Sequence, residues 1–356
     1  MTDVQIVSLA TANPPLRLSQ EQSFQIYEAM VPMSEKAISL LQRVFVANQS
    51  IGYRHFGMDS PADVTQQSQD ALIARYQKYG VRVAVEAARK ALDEAGLAPE
   101  EVDGVVVNSC TGYLCPGLTS YVAEALPLRP DVWPFDLQGM GCGGALPNLQ
   151  TAYNYLQTHP DSHVLVIAVE ICSATLYLDE APDVLISNAL FGDGAAAAVV
   201  TNRPDAFTVD APVRLKSFAA GLYPRDRHLL YYRTENSKLR NVLSIDVPEV
   251  GAQRAGEVVE RLLDGARIGY EDVDHWIIHP GGQKVLDAFR DALDLPDEVL
   301  APSRAVLYHY GNMSSATVLF VLKEVLRNHD PRPGDRGVLS SFGAGFGAYA
   351  GLVEFV

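Results

Sequence analysis

The feature that most constrains the fold is an internal repeat. Residues 92–108 align without a gap against residues 263–279, at a constant offset. Gly311-Asn312 repeats Gly141-Cys142 at nearly the same offset, and Phe342-Gly-Ala-Gly is similar to Phe191-Gly-Asp-Gly at a shorter one. Because these matches keep the same order along the chain, we interpret it as two related α/β halves, residues 1–205 and 206–356.

The hydrophobic pattern predicts alternating strands and helices. Near-continuous apolar runs, typical of strands buried on both faces, lie at 102–108, 163–170 and 195–200. A helical pattern covers 19–47 and 64–95, whereas 206–244 is less regular and predicts strands and loops. Such alternation indicates mixed or parallel sheets covered by helices, with ligands at strand carboxyl ends and helix amino ends.

Composition argues against several classes of function. The chain has 356 residues and a formal net charge of -15, which disfavours nucleic acid or an anionic membrane as a partner. No apolar run reaches the ~18 residues of a membrane span, and the first residues lack the basic character of a signal peptide. The four cysteines show neither CxxC spacing nor a disulfide-rich pattern, so we expect a reduced, cytoplasmic protein.

A glycine-rich stretch surrounds Cys142. The segment Asp136-Leu-Gln-Gly-Met-Gly-Cys142-Gly-Gly-Ala-Leu-Pro147 predicts a strand that turns into a helix. Pro147 is tolerated in a first helical turn, which places the helix start shortly after Cys142. The free N–H groups and positive end of such a helix favour a thiolate. The same stretch also fits a small buried cysteine in a glycine-rich turn.

The repeat brings two further side chains towards Cys142. Asn312 occupies the matching helix start, and His279 ends the strand that matches the one ending at Asn108. A thiol, an imidazolium that lowers its pKa, and His and Asn donors for an oxyanion together suit acyl transfer from a thioester. A structural histidine and a turn-forming asparagine are the alternative. No metal-ligand spacing occurs, and Gly343-Ala-Gly-Phe-Gly347 follows neither the Walker nor the Rossmann order.

Five motifs occur in order along nearly the whole chain. They are Gly-Cys142-Gly-Gly, Phe191-Gly-Asp-Gly, Trp276-Ile-Ile-His279-Pro-Gly-Gly, Tyr310-Gly-Asn312-Met-Ser-Ser-Ala and Phe342-Gly-Ala-Gly-Phe. This combination resembles the type III polyketide synthases, the chalcone synthase-like family. The resemblance implies a duplicated thiolase-like fold with α-β-α-β-α layers. It also implies a homodimeric acyltransferase that uses malonyl-CoA and an acyl-CoA starter, with no metal or organic cofactor.

The same resemblance implies roles for individual residues. Cys142 would take the starter acyl group and His279 would keep it as a thiolate. His279 and Asn312 would support malonyl decarboxylation and the thioester oxyanion. Phe191 would be an aromatic gate between a CoA tunnel and an inner cavity. Cys115 lies in the loop that, in this family, reaches across the dimer into the partner's cavity.

Several positions depart from plant chalcone synthases. Cys110 and Thr111 stand where those enzymes have Thr-Ser, and Cys172 replaces a cavity threonine. Asn241 matches the position of a second gating phenylalanine. The other candidate substrate contacts are Thr175, Ser314 and, for CoA, Arg43 and Arg54. These departures argue against a chalcone product and favour a resorcinol, pyrone or related phenolic polyketide.

Two other functions fit the same residues. A condensing enzyme of the ketoacyl synthase III type would add a single ketide unit, so product mass separates it from iterative synthesis. A non-catalytic subunit would bind acyl-CoA without turnover. An acyl group trapped on Cys142 would exclude that second alternative.

Overall fold

The computed structural model describes residues 3–203 and 212–356. Within these ranges the strands are β1 Gln5–Ala12, β2 Leu16–Ser19, β3 Tyr53–Phe56, β4 Gly104–Ser109, β5 Trp133–Gln138, β6 His163–Ile171, β7 Asp193–Thr201, β8 Val213–Leu222, β9 Leu230–Glu235, β10 Lys238–Leu243, β11 His275–Ile278, β12 Arg336–Gly343 and β13 Gly347–Phe355. The α-helices are α1 Gln20–Met30, α2 Glu35–Gln42, α3 Gln69–Ala95, α4 Leu118–Ala125, α5 Ala145–Leu156, α6 Pro182–Leu190, α7 Val247–Ala266, α8 Gln283–Leu293, α9 Ala301–Tyr310 and α10 Thr317–Asn328.

Nine of these strands form one sheet, in the order β11-β12-β13-β8-β1-β7-β6-β4-β5. Its two parts meet where β1 pairs with β8, at Gln5↔Arg214 and Ile6↔Val213. In the N-terminal part, β4 pairs in parallel with β5 and β6, and β7 runs antiparallel between β6 and β1. In the C-terminal part, β11 pairs in parallel with β12, and β13 runs antiparallel between β12 and β8. The two parts of the sheet therefore repeat one strand pattern.

Apolar side chains divide the molecule into five layers. Because side chains alternate along a strand, Val106 of β4 faces the central helices α5 and α10, whereas Val105 and Val107 face α3. Helices α5 and α10 share one core with strands from both parts of the sheet. Helices α7 and α8 cover the other outer face, over β11 to β13. This α-β-α-β-α order confirms the layering predicted from the sequence.

The repeat in the sequence relates equivalent elements, but not at every residue. The series β4, α5, β6, β7 corresponds to β11, α10, β12, β13. Helix α5 begins three residues after Cys142, whereas α10 begins five residues after Asn312. The third match is out of register, because Phe191 precedes β7 while Phe342 lies inside β12. The boundary predicted at 205/206 lies outside the described residues and stays a prediction.

Local details differ modestly from the predicted elements. The helix predicted over 64–95 begins at Gln69, where the Ser68 hydroxyl accepts a hydrogen bond from the N–H of Ala71 at 3.2 Å. The irregular segment forms β8, β9 and β10 in its described part. No helix in the described ranges is long and apolar enough to cross a membrane. Within the same ranges, no group of three or more His, Cys, Asp and Glu side chains could hold a metal ion.

Candidate active site

A cleft of about 830 Å³ opens between α6, the loop after β11 and the start of α7. Cys142, His279 and Asn312 all line this cleft, together with Phe191. Its volume lies within the usual range of small-molecule sites, roughly 300–1,000 Å³. The structure therefore brings together the three side chains that the repeat and the motifs indicated, while their catalytic roles stay a prediction.

Each of these three side chains lies at the end of a regular element. Cys142 lies in the short 3₁₀ turn Gly141–Gly143, just before α5. His279 directly follows β11, and its N–H donates to the carbonyl of Ser340 on β12 at 2.9 Å. Asn312 follows α9 and the turn at Gly311, whose φ of 69° is a conformation that favours glycine. Backbone geometry, rather than loop packing, sets these positions.

Burial controls the ionisation of Cys142. Desolvation by the surrounding protein raises the pKa of the thiol to about 11 and outweighs the hydrogen bonds of Ser314 and Asn312, which lower it. The carboxyl of buried Glu170 acts in the same direction as desolvation. Burial therefore favours the neutral thiol in the free protein over the thiolate expected from the helix start.

Burial also controls the ionisation of His279. Its side chain is only 2% exposed, and burial lowers the imidazole pKa to about 3. Both ring nitrogens are buried without a hydrogen-bond partner among the described residues. Burial thus favours a neutral ring over the imidazolium expected from the sequence. Such a ring has one nitrogen that can accept a proton and one that can donate a hydrogen bond.

The carboxamide of Asn312 is oriented by its neighbours. Its Oδ1 accepts a hydrogen bond from the N–H of Ser314 at 2.7 Å, and its Nδ2 donates to the carbonyl of Gly281 at 3.3 Å. The Ser314 hydroxyl lies 3.2 Å from Sγ of Cys110 and also bonds the Cys142 thiol. Cys110 and Ser314, both predicted as substrate contacts, therefore lie beside the candidate nucleophile.

Phe191 separates the cleft from a second, inner cavity. It lines both spaces, and the inner cavity has a volume of only about 20 Å³. Cys172 and Thr175 line the inner cavity as predicted, and Asn241 lines it too, with its Nδ2 3.1 Å from the Ser187 hydroxyl. Phe191 thus borders both spaces, and its role as a gate stays a prediction.

Two predicted substrate contacts are wrong. Arg54 is only 1% exposed and donates to the side chain of Gln20 and to the carbonyls of Asn188 and Phe191, so it cannot reach CoA in the cleft. Thr111 is also 1% exposed, and its hydroxyl donates to Glu170 at 2.9 Å. In both cases an unforeseen polar partner inside the protein binds the side chain and turns it away from the substrate.

The predictions for Arg43 and Cys115 have different outcomes. Arg43 is exposed and lines the cleft, where it can meet an anionic ligand. Cys115 is exposed on the surface and lies in neither the cleft nor the inner cavity of its own chain. Its predicted reach into a partner stays a prediction.

The structure adds two residues that the sequence interpretation missed. Lys284 lies in the first turn of α8 and lines the cleft, as Arg43 does. Its position in the sequence, five residues after His279, could have indicated that it lies close to the site. Tyr232 on β9 lines the inner cavity, with its hydroxyl 3.3 Å from that of Thr175. Nothing in the sequence around Tyr232 marks it.

Comparison with protein families matches nearly the whole chain. Residues 6–219 match the family model described as FAE1/Type III polyketide synthase-like protein. Residues 215–354 match the model for the C-terminal domain of chalcone and stilbene synthases.

Individual relatives agree with these families. A 1,3,6,8-tetrahydroxynaphthalene synthase from Streptomyces peucetius is 35% identical over 96% of this chain and 90% of its own length. A 3,5-dihydroxyphenylacetyl-CoA synthase from Streptomyces toyocaensis is 31% identical over 84% of this chain and 77% of its own. Among solved structures, PKS-I from the brown alga Ectocarpus siliculosus superposes with a TM-score of 0.91 at 27% identity, covering 100% of this chain and 99% of that one.

These matches confirm the thiolase-like fold and the class of enzyme. Type III polyketide synthases act on malonyl-CoA and acyl-CoA, and they need no cofactor besides these thioester substrates. Since one family model alone covers more than half of the sequence, and the curated relatives carry the same activity type, this chain belongs to the type III polyketide synthase family and is an acyltransferase.

Proposed function

We propose that this enzyme loads an acyl group from CoA onto Cys142, extends it repeatedly with malonyl-CoA, and cyclises the resulting poly-β-keto chain. The observation that carries the proposal is the meeting of Cys142, His279 and Asn312 in one cleft. In the loading step, Sγ of Cys142 bonds to the thioester carbonyl carbon and the bond to the CoA sulfur breaks. The unpartnered imidazole of His279 accepts the thiol proton and returns it to the departing CoA thiolate.

The extension step uses the same imidazole as a hydrogen-bond donor. Loss of carbon dioxide from malonyl-CoA leaves an enolate, whose oxygen accepts hydrogen bonds from the N–H of His279 and Nδ2 of Asn312. The enolate carbon then attacks the acyl group on Cys142, and the bond to Sγ breaks. The chain, now longer by one ketide unit, remains on CoA and can be loaded again.

Two cations at the rim of the cleft suit the phosphates of CoA. Arg43 and Lys284 are both exposed and both line the cleft. Lys284 also lies in the first turn of α8, where free N–H groups add to the positive potential. The negative net charge of the protein therefore does not prevent a local anion site.

The product class follows from the relatives and the inner cavity. The names of two relatives describe hydroxylated aromatic rings with hydroxyl groups in 1,3 relation, the pattern left by a cyclised poly-β-keto chain. The inner cavity beyond Phe191, at about 20 Å³, leaves little room for a long chain unless its lining side chains move. We assign a resorcinol, pyrone or related phenolic polyketide to this enzyme.

A homodimer is the proposed assembly. Strand β5 forms the edge of the sheet and exposes Phe135, and the nearby Tyr113 is 71% exposed. A free edge strand with exposed aromatic residues favours pairing with a second copy. The segment that carries Cys115 leads into α4, where Thr119 binds Asp136 of β5, so Cys115 lies beside this edge. Light scattering of the purified protein tests the assembly.

The decisive experiment measures loading and product together. Wild-type enzyme is incubated with malonyl-CoA and a panel of aromatic and fatty acyl-CoA starters, with intact-protein mass spectrometry and product analysis. We expect an acyl adduct that Cys142→Ala abolishes, and products with several ketide units. A single ketide unit would identify a ketoacyl synthase III-type enzyme instead. No adduct with any thioester would identify a non-catalytic subunit.

A further inference from the structure

Arg54 is a buried cation that the catalytic steps above do not use. It is 1% exposed, and its bonds go to neutral acceptors. Nε donates to Oε1 of Gln20 at 2.8 Å, and Nη1 donates to the carbonyls of Asn188 and Phe191, each at 2.7 Å. Its guanidinium also lies 4.9 Å from the ring centre of Phe56, which lines the inner cavity. A buried charge without a carboxylate partner is costly, so its retention calls for a reason.

The carbonyls that Arg54 binds lie at the end of α6. The last turn of a helix leaves its carbonyls without partners inside the helix. Here groups outside the helix donate hydrogen bonds to four consecutive carbonyls. Arg54 binds those of Asn188 and Phe191, Gln20 binds that of Ala189 at 2.8 Å, and the N–H of Asn312 binds that of Leu190 at 3.0 Å. The negative end of the helix also stabilises a buried cation at this place.

The same contacts connect Phe191 to Asn312. The N–H of Gly192 donates to the carbonyl of Asn312 at 2.9 Å, so the two segments are bonded in both directions. The aliphatic stem of Arg54 packs against Gly311, where an added Cβ would lie 2.8 Å from Cγ of Arg54. One side chain therefore contacts the segment that carries the gate and the turn that carries the candidate oxyanion donor.

We propose that Arg54 is a positioning residue for chain extension, which holds the Phe191 main chain and the Asn312 turn in one fixed relation. This inference rests on the proposed function, because it assigns Arg54 to the extension step of that reaction. Loading depends on Cys142 and His279, which Arg54 does not contact. Extension needs in addition the oxyanion donor and the gate, both of which lie on segments that Arg54 contacts. Arg54 thus affects extension more than loading.

Arginine is specifically suited to this place. Its planar group presents several N–H donors in fixed directions, so one side chain reaches the Gln20 amide and two carbonyls at once. Lysine keeps the charge but has a single nitrogen at the end of a flexible stem. Glutamine keeps hydrogen-bonding capacity but loses the charge. The two substitutions therefore separate geometry from charge.

The test compares Arg54→Lys and Arg54→Gln with a matched control, Arg75→Gln. Arg75 is 6% exposed and also donates to two main-chain carbonyls, those of Ser173 and Asp63, each at 2.7 Å. Each full-length variant is assayed at a temperature where circular dichroism shows it folded. The readouts are the rate of Cys142 acylation without malonyl-CoA, kcat and KM for malonyl-CoA, and the distribution of product lengths.

We expect loading to stay within about 3-fold of wild type in the Arg54 variants, while kcat for extension falls roughly 10–100-fold and products become shorter. Arg75→Gln is expected to lower thermal stability while kcat for extension stays within about 3-fold of wild type, because Arg75 does not contact the Asn312 turn. Since Arg75 binds Ser173, which lines the inner cavity, the comparison with this control uses kcat rather than product length. Gln20→Ala, which removes one acceptor and the bond to Ala189, is expected to shift products in the same direction by a smaller amount. The Gln20→Ala variant therefore tests the proposal even if the Arg54 variants do not fold.

Several results would overturn the positioning role. One is an unchanged product distribution and kcat in folded Arg54→Gln, or in Gln20→Ala when the Arg54 variants do not fold. Another is an equal fall in kcat for extension in Arg75→Gln, which would reduce the effect to lost stability. Equal losses in loading and extension would also contradict it. Failure of the proposed function is distinguishable, because wild-type enzyme itself would then acquire no acyl group and release no polyketide.

Discussion

The cleft and the inner cavity lie on opposite sides of Phe191 and differ in almost every property. The cleft measures about 830 Å³ and carries Cys142, His279 and Asn312. The inner cavity measures about 20 Å³, little more than the ~10–15 Å³ that one water molecule requires. It is lined by side chains such as Thr175 and Tyr232. The cleft has room for substrates as it stands, whereas the cavity must enlarge before a growing chain can enter.

On the proposed function, chemistry and product size have separate structural origins. The three reactive side chains lie beside strand or helix ends, so the backbone of the duplicated fold positions them. The inner cavity is shaped by the packing of individual side chains from β9, β10 and the turn after β6. Substitutions in the cleft should therefore abolish the reaction, while those in the cavity should change what is made.

The largest expected effect is that of His279→Ala. Without the imidazole, burial and the Glu170 carboxyl still raise the pKa of the Cys142 thiol to about 11, against the hydrogen bonds that lower it. A pKa this far above neutral leaves almost no thiolate at pH 7.5. Acylation of Cys142 should therefore fall roughly 10²–10⁴-fold, the usual contribution of a general base. The rate should recover as pH rises towards 11.

Stopped assays of adduct formation across pH measure this effect. His228→Ala is the matched control, since His228 is exposed and its Nδ1 lies 3.0 Å from the carbonyl oxygen of Arg225, away from the cleft and the inner cavity. A variant that still loads at the wild-type rate at pH 7.5 would show that the proton of Cys142 leaves by another route.

Asn312→Ala should separate two steps inside the cleft. Removing one oxyanion donor costs roughly 10²–10³-fold in related reactions. Release of carbon dioxide from malonyl-CoA by the acylated enzyme should fall by about that factor, while loading falls less, because His279 still accepts the thiol proton. Radiolabelled malonyl-CoA gives the decarboxylation rate. Equal losses in both steps would mean that Asn312 mainly holds the site together.

The sequence predicted the architecture, and it predicted that Cys142, His279 and Asn312 meet, because both depend on backbone order. Their catalytic roles stay a prediction. The aligned segments 92–108 and 263–279 supplied the repeat, and the layers followed from it. The apolar runs that became β4, β6 and β7 were already visible as buried strands. Cys142 and His279 could be associated because equivalent elements in a duplicated fold end near one another.

What the sequence could not supply depends on partners that are distant along the chain. Arg54 is held inside the protein by Gln20 and Phe191, and no residue close to Arg54 in the sequence indicates these contacts. The raised pKa of the Cys142 thiol arises mainly from desolvation, which outweighs the hydrogen bonds that lower it. Such effects are sums over surrounding groups, so local motifs do not reveal them.

A smaller effect is expected at the rim of the cleft. Lys284→Ala and Arg43→Ala should each raise KM for malonyl-CoA about 3–5-fold and leave kcat unchanged, because an exposed cation contributes modestly to binding a phosphate. The effect should shrink as salt is added, since counter-ions screen exposed charges. Steady-state kinetics at low and high ionic strength test this, with Lys36→Ala, an exposed lysine on α2, as the control. A loss of kcat instead would place these cations in the chemistry.

The smallest effect on rate, and the clearest on product, is expected from Tyr232→Ala. The tyrosine ring lines the inner cavity and its hydroxyl meets that of Thr175, so truncation enlarges the cavity beyond Phe191 without touching the cleft. CoA release should stay within about 2-fold of wild type, because the general base, the oxyanion donors and the thiol are unchanged. The product distribution should shift towards longer chains.

The neighbouring Tyr231 supplies the control for this prediction, because alternation along β9 points its side chain to the opposite face of the strand. Tyr231→Ala should leave product lengths as in wild type. Product mass spectra of the two variants therefore decide whether the inner cavity sets chain length. If Tyr232→Ala gave the wild-type spectrum, chain length would be set by the rate of release from the cleft. The cleft would then remain the proposed reaction centre, but the inner cavity would not determine product size.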